Sequence, residues 1–133
     1  MGHQHSIRVY YEDTDAGGIV YYANYLKFFE RARTEWLRNL GTEQDELLEH
    51  SLGFVVKRVE MDNHAPARFN QLLCIQSEIV ELKRASLVFK QTIISPSDTR
   101  LVSAIIKVAC VNLSSMKPQA IPANILEEFK RVV

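Results

Sequence analysis

An α+β fold, one curled antiparallel β-sheet wrapped around a single long α-helix, is predicted by three features of the sequence. A helix-rich first half gives way to a strand-rich second half. The apolar positions of the long helix cover about half its circumference, wider than the ~100° stripe of a helix lying on a flat surface. The strands that follow are joined by hairpin-length turns, so they pair in order as an antiparallel meander.

In chain order, Ile7-Arg8-Val9-Tyr10 alternates as a short strand, and Glu12 to Gly18 is a polar loop ending in two glycines. From Tyr25 to Leu40 the residues Tyr25, Leu26, Phe28, Phe29, Ala32, Trp36, Leu37 and Leu40 recur at helical spacing, and Gly41 stands where a left-handed C-terminal cap belongs. The only material available to cover so broad an apolar arc is the set of later strands, which must therefore curl around the helix. Glu43 to His50 is a short polar helix or turn. The strands are Phe54 to Asp62, Leu73 to Lys83, Ser86 to Ser95 and Arg100 to Leu113. Lys83-Arg84-Ala85 and Pro96-Ser97-Asp98-Thr99 are the turns between the last three. In the last strand Val102, Ala104, Ile106, Val108 and Cys110 form one apolar face, the mark of a central strand against the helix. Pro118 and Pro122 end the sheet, and Ala123 to Arg131 is a terminal helix.

The 133 residues correspond to one domain, 1–133, at the usual ~100–200 residues per domain. Sixteen Lys and Arg balance sixteen Asp and Glu, which removes the broad positive field of a nucleic-acid or anionic-membrane binder. Cys74 and Cys110 sit singly in apolar alternating segments and are expected as buried reduced thiols. No stretch approaches the ~18–20 apolar residues of a membrane span. Met1-Gly2-His3-Gln4-His5 lacks the apolar core of a signal peptide, so a cytoplasmic location is expected.

Neither G-x-S-x-G, H-E-x-x-H, a P-loop nor G-x-G-x-x-G occurs. The dense cluster of special residues is Tyr11 to Tyr25, in the loop feeding the long helix. Asp13-x-Asp15 opens like a calcium loop, but Gly17 and Asn24 occupy later ligand positions, so no metal site is expected. Asp13 is a turn or capping group that bonds local backbone. Asp15 differs, because the glycines that follow let the chain turn sharply and let a substrate approach both its carboxylate and the helix N-terminus. The unpaired N–H groups and positive dipole end of a helix start suit an oxyanion formed at a carbonyl. A lone carboxylate is thin equipment for an ester or amide. A thioester needs less, since its leaving thiol has a pKa near ~8.5 and departs as thiolate; one carboxylate, as nucleophile or general base, then suffices.

The run Val9-Tyr10-Tyr11-Glu12-Asp13-Thr14-Asp15-Ala16-Gly17-Gly18-Ile19-Val20-Tyr21, followed by Phe28-Phe29-Glu30-Arg31-Ala32-Arg33-Thr34-Glu35, resembles the hotdog-fold acyl-CoA thioesterases of the hydroxybenzoyl-CoA thioesterase class, in particular their Tol-Pal-associated bacterial branch. The resemblance continues through Phe54-Val55-Val56-Lys57, Ala65-Pro66-Ala67-Arg68-Phe69 and Met116-Lys117-Pro118. It implies a sheet wrapped around the helix, edge-to-edge pairing of subunits into dimers or tetramers, and an acyl-CoA substrate hydrolysed without a cofactor. It also implies that Asp15 is catalytic, that backbone N–H near Tyr21 and Tyr22 holds the thioester oxygen, and that Lys83, Arg84 and Ser86 bind CoA phosphates. A short chain without a lid then places the active site at the subunit boundary.

Three departures stand out. Tyr22 occupies the place of a histidine in close relatives, Asn63-His64 the place of paired aromatics, and Asn70-Gln71 the place of paired acids. His64 is expected as a surface histidine near a turn. Two other functions compete: a non-catalytic pocket for acyl-CoA or an acyl carrier protein, and a hydratase or dehydratase, which needs a histidine and an acid paired in the pocket.

Overall fold

A computed structural model of the protein describes residues 2–133; Met1, the first residue of the N-terminal stretch read above, lies outside them. The elements are β1 (His3–Arg8), α1 (Asn24–Asn39), α2 (Gln44–Glu49), β2 (Leu52–Asn63), β3 (Leu72–Leu82), β4 (Ser86–Ile94), β5 (Arg100–Asn112), β6 (Lys117–Pro118) and α3 (Ala123–Lys130). The sheet runs β1-β3-β4-β5-β2, antiparallel throughout, with the two-residue β6 added on β5. It curls around α1 in the hotdog arrangement.

α1 is held by the wide arc that the sequence shows. Tyr25, Phe28, Phe29, Ala32, Trp36 and Leu37 are buried, and Phe28, Phe29 and Ala32 are sealed from solvent. The helix stops at a Schellman cap: Thr42 N–H donates to Leu37 O at 2.8 Å, Gly41 N–H to Arg38 O at 3.0 Å, and Gly41 adopts φ +88°. Two positions differ from expectation. Leu26 is exposed, and Arg33 is buried within the arc among the aromatic side chains.

The inner face of β5 is as read: Val102, Ala104, Ile106, Val108 and Cys110 are all buried. Cys110 meets the expectation for the thiols, whereas Cys74 is only half-buried; both are free. β1 is displaced from its predicted position. It starts four residues earlier, at His3, and pairs with β3 from His3↔Ser77 to Arg8↔Leu72. An edge strand is secured by its backbone bonds, so the polar side chains of His3 to Ser6 give no apolar alternation to read.

Candidate active site

Between β1 and α1 the chain makes a small, heavily bonded loop. Asp13 is buried, its Oδ2 accepts Tyr10 N–H at 2.8 Å, and its carbonyl accepts both Tyr21 N–H (3.1 Å) and Asn24 Nδ2 (2.9 Å). It is thus the structural tie of the loop. Thr14 bridges Val20, Asp15 N–H donates to Ile19 O at 2.9 Å, and Gly18 N–H donates back to Asp15 O at 3.1 Å. These bonds make Asp15 to Gly18 the tight tip of a miniature hairpin, with Gly18 at φ +76°. The hairpin is pinned to the segment before β3, since Ile19 bridges Arg68, Val20 N–H donates to Ala67 O and Phe69 N–H donates to Gly18 O.

Asp15 stands exposed at this tip. Its Oδ1 accepts Gly17 N–H at 2.8 Å, which orients the carboxylate, and among the described residues nothing bonds Oδ2. One oxygen is therefore fixed and the other open to a ligand.

The start of α1 supplies the complementary donors. Asn24 N–H turns back to Tyr21 O and Tyr25 N–H to Tyr22 O, and no side chain caps the helix. Among the described residues the N–H groups of Tyr22 and Ala23 have no acceptor, as expected ahead of a first helical turn. The Tyr21 N–H differs: its bond to Asp13 O removes it from the pair of donors expected at Tyr21 and Tyr22. The Tyr21 and Tyr22 rings, 5.2 Å apart, are exposed beside the hairpin. Tyr22 also lines a cleft of about 350 Å³ with Val20, Tyr25, Asn63, His64 and Pro66. His64 is exposed there, with Nε2 2.8 Å from Ser103 Oγ.

Lys83, Arg84 and Ser86 lie at the β3–β4 turn, closed by Lys83 N–H donating to Ser86 O at 2.8 Å. Lys83 and Arg84 are exposed on an open hollow of about 600 Å³ that Lys130 of α3 also lines; Ser86 is half-buried and not part of its wall. The Asp15 hairpin abuts the Leu72 end of β3 and these cations follow its Leu82 end. At about 3.3 Å per residue the separation is on the order of 30 Å, so one subunit does not bring the two groups together.

The sequence reading did not identify a buried polar group beneath α1. Gln91 is sealed from solvent; its Oε1 accepts Arg33 Nη1 at 2.9 Å, and its Nε2 donates to Phe29 O and Ser77 Oγ. The readable signal is the alternation of Leu87, Phe89, Gln91 and Ile93, which puts all four on the inner face.

Residues 9–129 match the model of the Thioesterase-like superfamily. The chain belongs to this superfamily. It is 47% identical over 125 residues to the acyl-CoA thioester hydrolase YbgC of Escherichia coli O6:H1, covering 94% of this chain and 93% of that one. It is likewise 47% identical to the acyl-CoA thioesterase YbgC of Haemophilus influenzae, over 96% of this chain and 94% of that one. Among solved structures, a probable thioesterase from Bartonella henselae superposes with a TM-score of 0.86 at 37% identity, covering 92% of this chain and all of that one. The superfamily is the one that the residues around Asp15 resemble.

Proposed function

We propose that this protein hydrolyses acyl-CoA thioesters, with Asp15 as nucleophile or general base on water and the Tyr22 backbone N–H receiving the carbonyl oxygen as it becomes negative. The observation that carries this reading is the free Oδ2 of Asp15, on a turn that fixes its partner oxygen, in the loop that leads into the unpaired N–H groups at the start of α1. Two relatives at 47% identity that carry the name of acyl-CoA thioesterases support the substrate class. The leaving thiol departs as thiolate, so the absence of a histidine at position 22 does not remove the reaction. Because Lys83 and Arg84 are remote from Asp15 in one subunit, the CoA phosphates and the reacting carbonyl are held by residues of different copies in a dimer or tetramer. An acyl carrier protein fits the same chemistry as an alternative acyl donor. The two free thiols fit a reducing compartment such as the cytoplasm.

The test is thiol release from a panel of acyl-CoAs by the wild type and Asp15→Asn. A loss of about 10²-fold or more in kcat is expected for a missing general base or nucleophile; a variant within a few-fold of wild type would remove Asp15 from the mechanism.

A further inference from the structure

Half-way along α1 the fold buries a charge without an ion-pair partner among the described residues. Arg33 is 8% exposed, and among the described residues it forms no ion pair. Its guanidinium carbon lies 5.9 Å from the centroid of the Phe89 ring. Of its five side-chain N–H donors, one has an acceptor among the described residues, Gln91 Oε1. Burial lowers its pKa to about 10, against the opposing charge of Glu30, and it remains protonated at neutral pH. The unused donors are not sealed: among the described residues the buried side-chain polar atom without a partner is His3 Nδ1, so the free Arg33 N–H groups reach the cavity or solvent and are open to an anion.

Arg33 also lines a cavity of about 100 Å³ between α1, the sheet and α3, with Leu37, Phe54, Leu87, Phe89, Val108 and Phe129 as apolar wall. An apolar cavity of ~150 Å³ holds benzene, so this volume suits an aliphatic body of about four carbons. Thr34 and Glu30 share the lining; Glu30 is exposed and its Oε1 accepts the Thr34 hydroxyl at 3.3 Å. The Glu30 charge opposes an incoming anion, but it faces water, whereas the Arg33 charge is in the interior and acts at lower effective dielectric.

We propose that this cavity binds a compact carboxylate, its short aliphatic body against the apolar wall and its two oxygens on the Arg33 guanidinium. The guanidinium fork matches a carboxylate with paired N–H donors, and the apolar wall receives the aliphatic body. Such a carboxylate arrives either as a free acid or as the far end of an acyl chain carried on a thioester. Only the second source rests on the hydrolase reading above.

The experiment is a titration of the ¹⁵N- and methyl-labelled full chain with butyrate and with butyramide, followed by NMR at Arg33 Nε–H and the methyls of Leu87 and Val108. Saturable shifts with butyrate and roughly tenfold or weaker binding of the amide are expected. Arg33→Met should erase that preference and Glu30→Gln should tighten butyrate. Equal binding of acid and amide, no saturable shift at these groups, or an unchanged preference in Arg33→Met would overturn the site. Should Arg33→Met fail to fold, the wild-type acid and amide pair still decides. The source follows from kcat/KM for adipoyl-CoA and hexanoyl-CoA: a preference of tenfold or more for adipoyl-CoA assigns the acyl end, and equal values assign the free acid. Butyrate shifts with no thiol released from either thioester would leave the site standing while removing the hydrolase reading.

Discussion

Two adjacent glycines separate the chemistry of the Asp15 turn from its stability. A Cβ at Gly17 falls 3.2 Å from Asp15 Oδ1, whereas ordinary contacts lie at 3.4–4 Å, so in Gly17→Ala the carboxylate must yield by a few tenths of an ångström. A misplacement of about 1 Å costs roughly 10²-fold in rate. Taken in proportion in free energy, two or three tenths cost about 2.5- to fourfold in kcat. The backbone of Gly17 lies outside the left-handed region, so alanine is unstrained there and stabilises by up to about 1 kcal/mol through the unfolded chain. Gly18→Ala is the converse. A Cβ at Gly18 meets nothing within 4 Å, but its φ of +76° strains any L side chain by about 1–2 kcal/mol. Thiol release and thermal melts of both variants make the comparison: Gly17→Ala slower with unchanged or higher Tm, Gly18→Ala within about twofold of wild-type rate with Tm several degrees lower. Equal rate losses in the two, or a wild-type rate in Gly17→Ala beside an inactive Asp15→Asn, would refute the idea that this turn sets the position of the reacting carboxylate.

Gln91→Leu removes the acceptor that Gln91 Oε1 gives the buried Arg33 and takes the Nε2 donor from Ser77 Oγ; a loss of about 3–5 kcal/mol in urea unfolding is expected. Phe129→Ala empties a fully buried position of α3 whose ring lies 6.2 Å from Phe54; about 3–5 kcal/mol is lost, again read by urea titration. His3 stacks on Trp36, and burial, then the neighbouring His5, lower its pKa below 6.5 against the opposing pull of Glu35. A lowered histidine binds its proton less readily in the folded chain than in the unfolded one. Its contribution is thus complete above pH 6.5 and is lost as pH falls through the lowered value. The drop in urea midpoint between pH 7.5 and pH 5 should be smaller in His3→Phe than in wild type.

What the residues disclose in advance is what depends on neighbours in sequence. The apolar arc of α1, its stop at Gly41, and the β3–β4–β5 meander rest on spacing and short turns, and the structure bears them out. Arg33 was illegible alone: it looks solvent-facing, and it is tolerable inside because Gln91, which the alternation of β4 turns inward, lies opposite it, 58 positions away. Burial of a polar pair is a property of two elements, so hydropathy along either strand or helix does not report it. The same distinction divides the candidate site. Asp15 is legible because the glycines that expose it adjoin it. The donor is not: whether the Tyr21 or the Tyr22 N–H is free turns on where the Asp13 carbonyl points after the loop has closed. Because that carbonyl also takes Asn24 Nδ2, it holds the start of α1 and the Asp15 hairpin to a single atom. The carboxylate and the unpaired Tyr22 N–H are thereby set in one rigid frame, and this frame, more than the identity of the side chain at 22, positions the proposed oxyanion donor.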